Sequence, residues 1–354
     1  MINDLRSILL PITTPFRSNG DVDADGFRSN IQKWNRTGIV GYVVLGSTGE
    51  RVHLNEREYL QVIETARAEV PSGPDGLAFI VGAGQQSTRG TIDEIKKAAE
   101  AGADAVLVIT PHFYRSAITP EALVDHYSAV ADASSVPVIL YSMPALTGIK
   151  IEPETVARLS EHPNIIGVKD SSADVAGLRE TVRLVTGSSG RVEDIATAEE
   201  YSANFPMQRA ARAPAMTKEE RREFAILTGN GTVLYDALCA GASGAILAVG
   251  CVVPEMCVEI FSAVQAGDKD HAAALQQKLT PLASAVTTKY GIGGLKAALD
   301  MIGYTGGVVR APLRQPDEKA REDIAQALTD ARAILTGWSH AQPGSMSRTP
   351  APSS

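Results

Sequence analysis

The chain is 354 residues long, 44% hydrophobic and 21% charged, values of an ordinary globular protein that exclude a fibrous or disordered chain. Its 33 basic and 41 acidic residues give a net charge of −8, and the basic pairs Lys96-Lys97 and Arg221-Arg222 make no stripe, which argues against a nucleic-acid partner. At about 150 residues per domain the length admits two domains, but an α/β barrel uses about 250 or more as one unit.

Residues 1–10 carry Asp4 and Arg6 and run into Pro11, so they lack the basic end and the apolar core of about 7–15 residues that make a signal peptide. No stretch reaches the roughly 18 apolar residues of a membrane span. The expected setting is cytoplasmic, with no membrane partner.

Eight short apolar runs then follow, at 7–12, 41–45, 77–81, 105–109, 138–141, 165–168, 224–227 and 244–248. Each is nearly continuous rather than alternating, the pattern of parallel strands covered on both faces. Helical signals fill the gaps. Asn55 and Glu58 make a capping pair ahead of Leu60, Ile63 and Ala66. Thr119-Pro120-Glu121 and Glu152-Pro153-Glu154 place proline in a first helical turn, where its missing N–H costs nothing. Eight strand–helix repeats predict an α/β fold of the (β/α)8 TIM-barrel type. The competing doubly wound sheet would show a glycine-rich loop after its first strand, where this chain has TTPF (13–16).

Residues 187–222 break the repeat. They are polar and alanine-rich, show no sustained period, and are too long for an ordinary connection. They read as an insertion between the sixth helix and the seventh strand, partly helical at 192–203 and 217–223, on the barrel's N-terminal face. After the eighth run, 253–266, 269–290, 292–302 and 316–335 look helical, more than barrel closure requires. The expected organisation is a catalytic barrel over 1–252 with its insertion, a C-terminal helical extension over 253–336, and a disordered Ser/Pro/Gly-rich tail over 337–354.

Cys239, Cys251 and Cys257 have neither CxxC spacing nor nearby histidines and read as buried free thiols. The histidines contain no HxxxH pair, so no metal is expected, and GAGQQS (82–87) fails the dinucleotide pattern. Three features at strand ends carry chemistry instead. Lys169 closes an apolar run, where a lysine must find a partner or lose its charge, and a neutral amine is a nucleophile toward carbonyls. An ion pair with Asp170 is the alternative, made awkward because neighbouring strand residues point to opposite faces. Tyr141 ends the fifth run, as a site residue or as a buried structural tyrosine. GSTGE (46–50) lets amides and hydroxyls converge on a small anion, or is a plain polar turn.

The combination of TTPF, GSTGE, ITPHFY (109–114), LYSMP (140–144) and GVKDSS (167–172) resembles the dihydrodipicolinate synthase/N-acetylneuraminate lyase family of class I aldolases. The likeness runs from about Ile8 to Gln326. It implies a (β/α)8 barrel, commonly a homotetramer, acting on a small 2-oxo acid through a Schiff base and needing no cofactor beyond that imine. By the same resemblance Lys169 forms the imine, Tyr141 relays protons, and the Thr48 hydroxyl joins that relay. Ser47 and Thr48 would hold the pyruvate carboxylate, while Gly229, Ser171 and Leu146 would line the substrate.

Two departures stand out. Many members carry a tyrosine that reaches into a neighbouring subunit's site; here that position is Phe113, followed by Tyr114. Either Tyr114 substitutes, the relay ends in water, or proton transfer is slower. The synthases place an arginine where this chain has Leu146, and an aliphatic side chain cannot form the bidentate carboxylate fork. Residues 285–313 and LYSMPALTG are closest in wording to 4-hydroxy-2-oxoglutarate aldolases. Cleavage of a 4-hydroxy-2-oxo acid, best 4-hydroxy-2-oxoglutarate to pyruvate and glyoxylate, is therefore the leading expectation. Rivals are 4-hydroxy-tetrahydrodipicolinate synthase despite Leu146, a 2-keto-3-deoxy sugar-acid aldolase or dehydratase, and a barrel decayed to metabolite binding.

Overall fold

The computed structural model describes residues 5–74, 76–187 and 224–338. All eight apolar runs form strands: β1 (Ile8–Pro11), β2 (Gly41–Val44), β3 (Ala78–Ala83), β4 (Ala105–Ile109), β5 (Val138–Ser142), β6 (Ile165–Asp170), β7 (Ala225–Thr228) and β8 (Gly244–Ile246). Each pairs in parallel with the next, and β1 pairs with β8, so the sheet closes into a barrel without a free edge.

Closure explains the continuous apolar runs. Leu9, Val43, Ile80, Leu107, Ile139 and Leu227 fill the interior, while Leu10, Val44, Val81, Val108 and Leu140 pack outward beneath the helices. Each such burial contributes about 1.5–3 kcal/mol.

The helices begin where their caps say. Glu58 N–H donates to Asn55 Oδ1, and Asn55 N–H to Glu58 Oε2, each at 3.0 Å, ahead of the helix Glu56–Glu69. Thr119 caps Pro120–Ala133, and Glu152 precedes Pro153–Ser160. Past β8, Pro254–Gln265 completes the eighth unit, and Lys269–Ser284, Gly291–Met301 and Glu318–Trp338 follow.

Three expectations are corrected. The helix expected over 269–290 gives way after Ser284 to a π-turn, Ala285–Lys289, one turn beyond Pro281. There Thr287 donates its hydroxyl to the Ala283 carbonyl at 2.5 Å, a side-chain bond that competes with the backbone ladder. The last helix also runs to Trp338, past the expected start of the tail at Gly337. The rest of that tail lies outside the described residues, as do the insertion's expected helices at 192–203 and 217–223. Finally, Cys251 and Cys257 are buried but Cys239 is exposed. It ends the helix Leu234–Cys239, whose packed side is Leu234, Ala237 and Leu238, so position 239 falls off that face.

Among the described residues no helix is long and apolar enough to cross a membrane, and no cluster of three His, Cys, Asp or Glu side chains could hold a metal ion.

Candidate active site

Parallel strands deliver all their C-terminal ends to one mouth. There Tyr141 of β5 stands opposite Lys169 of β6. This pairing depends on a slip of register. Val138 pairs with Ile165 but Ile139 with Gly167, so β6 carries one extra residue. Counted straight from the first pair, Tyr141 would have faced Val168. The bulge brings the lysine there instead.

Lys169 Nζ lies 4.3 Å from the centroid of the Tyr141 ring, and both residues are only 4% exposed. Asp170 turns elsewhere: its Oδ1 accepts the Ser172 N–H at 2.7 Å, and its carbonyl accepts the Gly229 N–H at 2.6 Å. The ion-pair alternative for Lys169 is thereby removed. A Cβ at Gly229 would fall 1.9 Å from Ser171 Oγ and 2.8 Å from Lys169 Cε. Space alone demands glycine at that point, where β6 and β7 bring Lys169, Ser171 and Gly229 together.

Beyond β2 the chain passes through Leu45 at φ 59 and winds Ser47–Gly49 into one 3₁₀ turn. Gly49 N–H is the first to bond back, to Gly46 O at 3.0 Å, which leaves the Ser47 and Thr48 amides at the head of the turn. Thr14, from TTPF, donates its hydroxyl to Gly49 O at 2.8 Å and pins the turn to the end of β1. Ser47 Oγ lies 3.4 Å from the Tyr141 phenol oxygen. The hydroxyl that meets the phenol is thus that of Ser47, where Thr48 was expected to join it. Successive side chains of a three-residue turn diverge by about 120°, so only one of the pair meets the phenol.

The rim of the mouth is apolar and open. Phe113 and Tyr114 are 74% and 72% exposed, with ring centroids 5.1 Å apart edge to face. Leu146 stands out from the short helix Pro144–Thr147. Gly148 closes that helix in the left-handed region (φ 69), and the Arg115 side chain covers it, Nε 3.1 Å from where a Cβ would sit. No ion pair joins Arg115 to a carboxylate among the described residues.

Sequence reasoning missed a charged cluster behind the turn. Glu50 and Lys296 are both fully buried side chains, paired at 2.5 Å, and Arg310 pairs with Glu58 at 2.5 Å. Burial pushes the Lys296 ammonium below the ordinary lysine value, against the pull of Glu50. The Arg310 guanidinium holds the Glu58 carboxyl below the usual carboxylate range. A signal was present: Lys296 lies in GLKAAL, a lysine within an apolar run, as Lys169 does.

A buried amine against a phenol, beside a turn whose amides and hydroxyls suit a carboxylate, defines a Schiff-base aldolase of the barrel type. The model of the dihydrodipicolinate synthetase family matches residues 4–190 and 202–331, and the chain belongs to that family of lyases, which act through a lysine Schiff base. It is 35% identical over 306 residues to a 4-hydroxy-tetrahydrodipicolinate synthase of Nitrobacter hamburgensis, covering 85% of this chain and 88% of that one. It is 34% identical over 322 residues to an L-threo-3-deoxy-hexylosonate aldolase of Aspergillus niger, covering 90% and 92%. Among solved structures, a prophage protein of the dihydrodipicolinic acid synthase family from E. coli K12, in complex with pyruvate, superposes with a TM-score of 0.77 at 27% identity, covering 93% and 99%.

Proposed function

We propose that this chain is a pyruvate-dependent Schiff-base aldolase whose aldehyde partner carries a carboxylate. The meeting of Lys169, the Tyr141 ring and the Ser47 hydroxyl at one mouth is the observation that carries it. The Lys169 amine adds to the 2-oxo carbon and water leaves, giving an imine that draws electrons from the neighbouring bond. In the cleavage direction the C4 hydroxyl gives up its proton, the C3–C4 bond breaks, and an aldehyde departs. The enamine left on Lys169 takes a proton at C3, and hydrolysis releases pyruvate. Tyr141 handles the protons, with Ser47 as its partner, an acid–base contribution of about 10²–10⁴-fold. The Ser47 and Thr48 amides hold the carboxylate, and the imine takes the place of a cofactor.

Two aldehydes fit this class. The names of the relatives weigh toward 4-hydroxy-tetrahydrodipicolinate synthase and support it more than cleavage of 4-hydroxy-2-oxoglutarate. Leu146 weighs the other way, because it cannot fork a carboxylate as arginine does. Arg115 offers a guanidinium to either substrate and would have no counter-charge in the uncharged aldehyde released from a deoxy sugar acid. The open Phe113–Tyr114 pair is proposed as the contact with a second copy, within the homotetramer that the family resemblance implies.

Borohydride reduction in the presence of pyruvate is expected to leave a mass adduct on the Lys169 peptide, and its absence would refute the mechanism. Turnover of pyruvate with aspartate semialdehyde, of 4-hydroxy-2-oxoglutarate, and of a 2-keto-3-deoxy sugar acid then ranks the partners. A preference for the uncharged aldehyde would sink the carboxylate assignment.

A further inference from the structure

The cluster behind the turn does more than fill the core. Glu50 follows the Ser47–Gly49 turn directly and holds a left-handed backbone (φ 54), a conformation a non-glycine residue keeps only when its surroundings impose it. Two of the groups that hold its carboxylate come from the far end of the chain. Glu50 Oε1 takes the Lys296 Nζ at 2.5 Å, while Oε2 takes the Arg310 backbone N–H at 3.1 Å and lies 3.2 Å from His53 Nδ1. Lys296 also donates to Val308 O at 2.7 Å, so it bridges the helix Gly291–Met301 to the strap that follows it. The Arg310 guanidinium then reaches Glu58, the His53 carbonyl at 2.7 Å and the Gly20 carbonyl at 2.7 Å. Both cations sit on the Phe16 ring, Lys296 at 4.4 Å and Arg310 at 4.2 Å from its centroid.

Two cations face two carboxylates, so the cluster is balanced and adds no attraction for an anion of its own. Its effect is geometric: it grips residues 50–58 from one side, as Thr14 grips Gly49 from the other. Immediately before both grips in the chain come the Ser47 and Thr48 amides and the hydroxyl that meets Tyr141.

We propose that Lys296 and Arg310, in the C-terminal extension, are positioning residues that act through Glu50 to aim the Ser47–Thr48 turn at the substrate carboxylate. The inference rests on the assignment of that turn to the pyruvate carboxylate. It assigns the extension a task in substrate binding that neither residue performs by touching substrate.

The deciding variant is Glu50→Gln/Lys296→Met, which leaves no unpaired buried charge and so separates aim from fold stability. Borohydride trapping at varied pyruvate is expected to show half-saturation raised about tenfold or more, with the rate at saturating pyruvate within about threefold of the parent. Asp323→Asn is the control. It cuts the ties from Asp323 to Lys289 (2.6 Å) and Tyr290 (2.5 Å) in the same extension, and is expected to lower Tm without moving half-saturation. The inference is overturned if the double variant keeps half-saturation within about twofold, if it does not fold, or if Asp323→Asn moves half-saturation as far. A parent protein that traps no pyruvate would instead sink the aldolase assignment itself.

Discussion

Gly229→Ala tests the site most sharply, because the structure supplies the size of the insult. The added methyl would stand 1.9 Å from Ser171 Oγ, 2.8 Å from Lys169 Cε and 3.0 Å from Ser171 Cβ, where ordinary contact begins at 3.4 Å. Ser171 must therefore retreat by about 1.5 Å and the end of the Lys169 side chain by about 0.6 Å. The backbone at 229 is not in the left-handed region, so the cost lies in packing rather than in φ. Crowding of this kind costs about 1–3 kcal/mol of stability. Misplacement of a reacting atom by about 1 Å costs about 10²-fold, so a displacement of about 0.6 Å should slow imine formation by about 10- to 100-fold. Single-turnover borohydride trapping measures that rate, and a thermal melt measures the stability. Adding Ser171→Gly removes the two serine clashes but leaves the lysine contact. The double variant should thus recover most of the Tm while imine formation stays slow. Trapping at the parent rate in Gly229→Ala would show that Lys169 does not react from the position described.

Three further outcomes are expected. Tyr141→Phe keeps the ring beneath Lys169 but loses the phenol, so turnover should fall about 10²-fold or more while the pyruvate adduct still forms; undiminished turnover would remove Tyr141 from the relay. Arg115→Leu should lower kcat/KM about tenfold for a carboxylate-bearing aldehyde and leave an uncharged one nearly unchanged; an equal loss for both would make Arg115 a packing residue only. His126 is buried, and burial holds its pKa down at about 4. Between there and the ordinary histidine value near 6.5 the unfolded chain binds a proton that the folded chain refuses. Stability from this group is therefore complete above about pH 6.5 and is lost as pH falls toward 4, by about 3 kcal/mol in all, as denaturant midpoints between pH 7 and 4 would show. The same slope in a His126→Leu variant would assign it to another group.

The barrel was legible because its cause is local: strands covered on both faces need unbroken apolar runs, and a run such as 105–109 carries that need in its composition. Lys169 and Tyr141 were legible for the opposite reason, polar groups where the run should have stayed apolar. Their registration was not, since it hangs on one extra residue in β6 that composition does not mark. That Ser47 rather than Thr48 meets the phenol arises from the direction of a single 3₁₀ turn, below the resolution of a motif. Lys296 and Arg310 went unread because their partner, Glu50, is distant in the chain. Only the closed fold brings them together.

That distance has a consequence for how the molecule is made. Arg310 and Glu50 are 260 residues apart, and β1 waits for β8 to close the sheet. Synthesis from the ribosome runs in one direction, at about 5–20 residues per second, so the carboxylate turn is finished early in sequence and late in time. The Glu50 carboxylate can gain its Lys296 and Arg310 partners only after the strap at 308–310 has emerged. A partly made chain already carries its lysine and phenol, yet has nothing to aim the turn at a 2-oxo acid. Competence to bind is deferred until the chain has emerged past Arg310.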